Sequence, residues 1–334
     1  MSGTRKRATI RDVAEATGLS ISTVSYALRG LQTSQKTQDR VRRAADELGY
    51  EADPIARALS SGKTGLIGVL CGSLEDLWQQ RFAAEIGRAL LAREHHALIM
   101  DAAGDPNREA ALARKLRDQR VDGLVVCPLD PAAKLWAKLA EALTVVTVGD
   151  ALAGGGTCGV LFDNRSGVRL ALEHLHSLGH RQVALLTSTS ESTPDRPSDR
   201  RTVQEAARLG LTLTVVPTSH ALPTATEAAR SILASPDRPT AVLCLSDSIA
   251  YGVYAAAAEL NLRIPHDVSV VGYDNHPVSA LLTPPLTTVD WDLDRIISSV
   301  TDLILAGVED EHFHRRITQR PSLREGGSTG RPPR

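Results

Sequence analysis

Two sets of residues in this 334-residue chain have types and spacings that could do chemistry. The first lies in the run SISTVSYALRG, from Ser20 to Gly30. Ser22, Ser25 and Arg29 carry groups that can bond base edges or phosphates, and Ile21 can meet a thymine methyl. The second set is four carboxylates, each placed where an apolar run ends. Asp101 follows ALIM, Asp163 (with Asn164) follows GVLF, Asp247 follows AVLCLS and Asp274 follows SVVGY. Open α/β folds bind ligands beyond the carboxyl ends of their strands, so these are candidate cleft residues. No nucleophile–base arrangement stands out at fixed spacing.

Other signals carry less. Gly154, Gly156 and Gly159 fit G-x-G-x-x-G but precede a strand instead of opening a helix, so they read as a loop. Gly62-Lys63-Thr64 ends like a phosphate loop, yet Arg57 stands where its first glycine belongs. His174, His176 and His180 cluster near a helix end without a carboxylate or thiol to complete a ligand set, so no metal site and no cofactor are expected. The charged run EDEHFHRR reads as a solvated turn leading into a final strand. Cys71, Cys127, Cys158 and Cys244 lack C-x-x-C spacing, and three sit in apolar runs, which fits buried free thiols in a reducing cytosol.

The elements that must position these residues follow from periodicity. Thr9 caps a helix through IRDVAEATG, with Ile10, Val13 and Ala14 spaced for one buried face and Gly18 ending it. Ser20 caps a second helix whose Val24 and Leu28 lie four apart. A third runs from Lys36 to Leu48, with Val41, Ala44, Ala45 and Leu48 on one side. The Ala14–Gly18–Val24 pattern suits a helix-turn-helix whose second helix enters the major groove; a helical hairpin without DNA fits the same pattern. A short segment, DPIARALSSGKTG, follows as a linker with weak helical tendency.

From Leu66 onward, apolar runs at 66–71, 97–102, 122–127, 144–149, 159–163, 182–187, 211–216, 240–245 and 268–273 alternate with helical stretches such as 107–119, 165–178, 224–234, 247–260 and 293–306. That predicts doubly wound parallel sheets. Nine strands exceed a comfortable single sheet, so two α/β lobes with a cleft are expected. Residues 1–62 hold ten Lys/Arg against seven Asp/Glu, and the remainder 28 against 32: a basic head on an acidic body. Apolar content is 42%, which excludes a disordered chain. No apolar run approaches the ~18 residues that span a bilayer, and the basic start lacks an apolar signal region. A cytoplasmic, nucleoid-associated protein without membrane contact is expected.

The runs TIRDVAEATGLSISTVSYALRG, KTQDRVRRAADELGYEADPIARALSSGKTGLIGVL, DGLVV, FDNRSGVRLALEHLHSLGHRQVALL, LSDSIAYGV and IPHDVSVVGYDNHPVSALLTPPLTTV together resemble the LacI/GalR family of repressors over nearly the whole chain. The resemblance implies a lambda-repressor-like helix-turn-helix domain at 1–51 and a hinge helix or linker at 52–64. It implies a periplasmic-binding-protein-like core at 65–322, with lobe 1 at 65–162 and 290–322 and lobe 2 at 163–289; residues 323–334 read as a disordered tail. It implies a sequence-specific transcriptional regulator, a repressor and not an enzyme. The protein would bind double-stranded, near-palindromic operator DNA as a homodimer, under control of a small effector, a sugar or related metabolite. The tail has no leucine heptad, which favours a dimer over a tetramer.

Carried across residue by residue, Ser20, Ile21, Ser22, Thr23 and Ser25 match the start of the recognition helix. Tyr26 stands where many members have arginine, Arg29 where asparagine is frequent, and Tyr50 matches the tyrosine closing the three-helix unit. Pro54–Ser60 resembles the hinge helix, and Leu59 its minor-groove wedge, for which an ordinary linker residue is the alternative. Thr9, Thr37 and Ala56 complete the DNA-facing set. For the effector, the resemblance adds Arg200, with Arg196 or Arg201 as substitutes, and Trp78 as an aromatic face, to Asp101, Asp163, Asp247 and Asp274. Alternatives stay open: Asp163, Asn164 and Asp247 suit helix caps equally well, and Trp78 suits a core. A transport solute-binding protein and a sugar-metabolising enzyme are competing readings; the N-terminal helix-turn-helix speaks against the first.

Overall fold

The computed structural model describes residues 8–28, 30–50, 62–154, 157–188, 196–310 and 312–333. The chain divides into two compact units, Met1–Thr64 and Gly65–Arg334.

In the first unit, α1 (Ile10–Thr17), α2 (Ile21–Leu28) and α3 (Gln35–Leu48) enclose a small core. Thr9 opens α1, donating its backbone N–H and hydroxyl to the Asp12 carboxylate at 2.7 and 2.8 Å. Gly18, at φ +62°, ends it in the left-handed region where a side chain is strained. Ser20 accepts from the Thr23 N–H to start α2, and Ser34 accepts from the Thr37 N–H to start α3. Val13, Ala14, Val24, Ala27, Val41 and Ala45 are buried together, with Tyr50 packed against them. Leu48, expected on the inner side of α3, is exposed: at the helix's last residue its side chain has run past the short core.

The second unit holds two six-stranded sheets. Lobe 1 is built from β1 (Leu66–Cys71), β2 (His96–Asp101), β3 (Gly123–Val126), β4 (Thr144–Gly149), β5 (Cys158–Phe162) and β11 (Arg316–Gln319), in the order β11-β5-β4-β3-β1-β2 and all parallel. Its helices are α4 (Leu77–Leu91), α5 (Pro106–Asp118), α6 (Lys134–Ala140) and α11 (Leu293–Glu309). Lobe 2 is built from β6 (Gln182–Ser188), β7 (Thr212–Thr218), β8 (Ala241–Cys244), β9 (Ser269–Tyr273), β10 (Thr287–Asp290) and β12 (Ser322–Arg324), in the order β12-β10-β9-β8-β6-β7. Only β12 runs antiparallel. Helices α7 (Asn164–Leu178), α8 (Arg196–Arg208), α9 (Leu222–Leu233) and α10 (Asp247–Glu259) pack on this sheet. The inner strands are buried on both faces, which is why they read as continuous apolar runs, while the edge strands β2 and β7 are partly exposed. The chain passes between lobes after β5, after β10 and after β11. Cys71, Cys127, Cys158 and Cys244 are buried free thiols. Among the described residues, no helix is long and apolar enough to cross a membrane.

The tail corrects the sequence reading. Expected to be disordered from 323 onward, it instead pairs β12 with β10 and then lies along lobe 2. Ser328 is fully buried: its backbone carbonyl accepts from Val270 N–H, its hydroxyl donates to the Val270 carbonyl, and its Oγ accepts from Thr287 N–H. Composition misled because the Gly-Gly-Ser-Thr-Gly run has little side chain to bury. What holds it is backbone, fitted so closely that a Cβ at Gly326 would clash with Pro285 and Leu286. Two of the clustered histidines serve this contact. His180 Nε2–H donates to the Gly330 carbonyl at 2.9 Å while its Nδ1 faces the Thr240 hydroxyl at 2.8 Å, and His174 Nε2 meets the Thr329 hydroxyl at 2.9 Å.

Burial pulls both imidazoles below their ordinary pKa. The folded state therefore binds fewer protons than the unfolded one just below the ordinary histidine pKa of ~6.5. Their stabilising contribution is whole above that pH and is lost as pH falls through the depressed folded values. Hydrogen exchange at the Val270 and Gly330 amides is expected to quicken between pH 7.5 and pH 5, relative to the other strands of lobe 2 after correction for intrinsic rates. Protection that stays in step with those strands would show that the histidines do not govern the docked tail.

Candidate nucleic-acid interface and ligand cleft

Helix α2 divides cleanly. Val24 and Ala27 face the core, while Ile21, Ser22 and Tyr26 are exposed, Ile21 at 45% and Tyr26 at 38%. Ser25 is half-buried beside them. A short helix whose inner side is fixed by two small apolar residues thus presents a mixed polar and apolar face outward. That combination suits groove edges, where hydroxyls bond bases and aliphatic groups meet thymine methyls. Ser20 and Thr23 share a hydrogen bond at 2.8 Å, so they shape the start of the helix. Thr37 does the same with Ser34 at 2.9 Å, and Thr9 is exposed at the start of α1. Lys36, Arg40, Arg42 and Arg43 are exposed along α3, a supply of phosphate-binding charge. Arg29, Ala56 and Leu59 lie outside the described residues.

The cleft candidates separate into two kinds. Asp101 Oδ1 accepts from the Leu74 and Ala103 N–H groups at 3.1 and 2.9 Å, and so fixes the loop after β1. Asp163 caps α7, accepting from the Ser166 N–H and hydroxyl at 3.1 and 2.7 Å. Asp247 is 1% exposed and wholly engaged. It takes the Thr288 hydroxyl at 2.6 Å, the Ser279 hydroxyl at 2.5 Å, the His276 N–H at 2.8 Å and the Tyr273 backbone. Four donors fill the carboxylate's four lone-pair sites. Burial nevertheless raises its pKa against those bonds. These three carboxylates hold local structure: Asp163 caps α7, the alternative left open for it, whereas Ser246 and not Asp247 caps α10, and Asp247 ties the turn after β9 and β10 to that helix.

Asp274 differs. It is half-buried, it follows β9, and its backbone is held at φ +124° with its N–H on the Val289 carbonyl at 2.7 Å. A non-glycine residue there is strained, and strain of that kind is found where a side chain must be aimed. Trp78 is 5% exposed in the core, stacked on Phe82 at 5.4 Å and edge-on to Phe162 at 5.5 Å. Phe82 takes one of its ring faces. Arg200 is exposed on α8, whereas its neighbour Arg201 is half-buried and acts on Asp150 at the end of β4. Burial pushes the Asp150 carboxyl up to about 6, with the Arg201 charge opposing.

Sequence reading missed three groups at this edge. Asp76, buried, caps α4 through the Trp78 N–H. His220, buried after β7, places Nδ1 3.1 Å from Ser248 Oγ and 3.9 Å from Asp76 Oδ1, so lobe 2 meets lobe 1 here. His276 faces the Tyr251 hydroxyl at 3.3 Å. The only available signal was position: each polar residue stands in the turn after a strand. Among the described residues, no group of three or more His, Cys, Asp or Glu could hold a metal.

Comparisons with known proteins agree with both halves. Residues 9–53 match the lacI family of bacterial regulatory proteins, and residues 172–329 match a periplasmic binding protein-like domain. The HTH-type transcriptional repressor PurR of Vibrio vulnificus (strain CMCP6) is 27% identical over 319 residues, covering 93% of this chain and 95% of its own. The Lac repressor bound to ONPG in its repressed state superposes with a TM-score of 0.85 at 25% identity, covering 97% of this chain and 100% of its own. A Lac repressor dimer bound to operator and the anti-inducer ONPF gives 0.84 at 24% identity, with the same coverage of each chain.

Proposed function

The chain belongs to the LacI family, as a DNA-binding transcriptional repressor with an effector-binding domain, and from that premise we propose that it works as a homodimer on a near-palindromic operator, governed by a small, hydroxyl-rich effector of the carbohydrate class. The observation that carries this reading is the outward face of α2, with Ile21, Ser22 and Tyr26 exposed over a core pinned by Val24. Two such faces related by a two-fold axis read two inverted half-sites. Dimerisation is supported by large apolar side chains left exposed on lobe 2: Leu281 at 79%, Leu222 at 52% and Val278 at 40%. The comparison structure that is a dimer on operator DNA supports it as well.

In the cleft we assign the effector's polar contacts to Asp274, whose carboxylate accepts from hydroxyls, and to the arginine pair Arg200–Arg201, with Arg201 the nearer to Asp150. Asp101, Asp163 and Asp247 hold the loops that aim them, and Trp78 supplies an apolar wall. Effector and operator are then linked thermodynamically. The effector changes DNA affinity only as far as it prefers one arrangement of the lobes over another.

The reading is tested by selecting bound sequences from a random duplex library at moderate salt. An enriched inverted repeat is the expected outcome; sequence-blind attachment would end the proposal. Leu59→Ala is expected to weaken the selected operator on the order of tenfold, while leaving random duplex nearly unaffected, because a lost minor-groove wedge forfeits the binding gained from kinking. Equal losses on both duplexes would remove Leu59 from that role.

A further inference from the structure

Residues 312–314 of the EDEHFHRR run border a cavity of about 300 Å³ in lobe 1. It lies at the amino-terminal ends of β4 and β5, through Thr144 and Cys158, and so at the end of the sheet away from the effector cleft. Room is left there because Ala142 and Gly307 have little or no side chain; a Cβ at Gly307 would run into the Thr144 methyl. The walls are fixed. The Thr144 hydroxyl donates to the Gly307 carbonyl at 2.7 Å. The Cys158 thiol donates to the Phe313 carbonyl and accepts from the Arg315 N–H, both at 3.4 Å, so the segment is tied to β5.

Two carboxylates and two imidazoles line this space: Asp122, Glu141, His312 and His314. Asp122 Oδ2 accepts from the Gly65 N–H at 2.7 Å and remains half-buried. The Glu141 carboxylate and both imidazole rings make no hydrogen bond or ion pair among the described residues. No lysine or arginine lines the cavity; Arg315 and Arg316 follow the last lining residue and stay outside it. Helix α11 ends beside it at Glu309, which adds the partial negative charge of a helix C-terminus. The space is therefore negative, and its unused polar groups are acceptors or can become acceptors: a carboxylate offers two oxygens, a neutral imidazole one nitrogen. These groups are spread too widely for a metal, since no group of three or more His, Cys, Asp or Glu among the described residues could hold one. A molecule with several N–H donors can reach separate acceptors.

We propose that this cavity is a second ligand site, separate from the effector cleft, for a small organic cation carrying ammonium or guanidinium groups. Asp122 and Glu141 hold its charge, and His312 and His314 accept its remaining N–H groups. The volume is at the lower end for small-molecule sites. A free amine and the tip of a lysine or arginine side chain share this chemistry.

The test is calorimetry on the full-length protein at about 0.15 M salt, where long-range attraction is screened. Putrescine, spermidine and agmatine serve as free cations, and the peptides Gly-Lys-Gly and Gly-Arg-Gly as side-chain sources. Glucose and glutamate are the neutral and anionic controls. One-to-one binding of at least one cation is expected, and the tighter class names the source. Glu141→Gln is expected to weaken that binding roughly tenfold, and Ala142→Arg, which puts a guanidinium into the cavity, to abolish it. Both residues are exposed, so both variants melt like the parent. Asp237→Asn, an exposed carboxylate of lobe 2, is expected to leave the affinity within about twofold. The proposal is overturned if no cation binds, if glutamate binds as tightly, or if Asp237→Asn loses as much as Glu141→Gln. Binding that survives in Ala142→Arg, or is unchanged in Glu141→Gln, overturns it too.

Discussion

Asp247→Ala is expected to destabilise the two-lobed unit by roughly 3–5 kcal/mol, more than Asp274→Ala does. Asp247 is fully buried at the centre of a network, whereas Asp274 is half-buried. Removing Asp247 takes the charged acceptor from the buried hydroxyls of Ser279 and Thr288 and from the N–H of half-buried His276, leaving Ser279 only the Tyr251 hydroxyl. Hydrogen bonds to a charged group are worth about 1.5–3 kcal/mol each and are not additive within one network, which sets the range. The surroundings offer no easy collapse: Gly272 is packed so closely that a Cβ there would run into Asp247 Oδ1 and Leu286. With the network gone, the turn from Asp274 to Leu282 loses its anchor, and the effector response falls together with stability. Asp274→Ala takes the response at a smaller cost in stability. Denaturant titration of both variants decides it; an Asp247→Ala cost below about 1 kcal/mol would mean that the network is replaced by solvent.

Val24→Asp is expected to abolish operator binding, a loss of roughly a hundredfold or more, while the two-lobed unit melts as before. Val24 is fully buried in a core of six residues, and a unit of this size holds only a few kcal/mol of stability. An ionised carboxylate there has no partner, so the three helices unfold or the group must bind a proton. The effector domain is a separate compact unit and keeps its own cores. The outcome is read by circular dichroism, by operator titration and by effector binding on one preparation. Operator affinity within tenfold of the parent would contradict the claim that this small core orients α2.

What the sequence determined by itself was local. Thr9 and Gly18 bound the first helix, Ser20 opens the second, and continuous apolar runs such as GVLC and AVLC give buried parallel strands, because caps and periodicity act between residues at most about four positions apart. The long family-like runs extended that reading to a helix-turn-helix followed by two lobes. The tertiary structure decided what each polar residue does. Asp101, Asp163, Asp247 and Asp274 look alike in the sequence, each ending a strand; only the folding of distant segments made Asp247 the hub of four hydrogen bonds and left Asp274 on a strained turn. The same holds for His220 meeting Asp76 across the lobes, and for a glycine-rich tail that composition alone marks as loose but that backbone hydrogen bonds fasten to β9. These are contacts between segments far apart in the chain, and the energy of such a contact is set by burial and geometry that no residue carries in its own type.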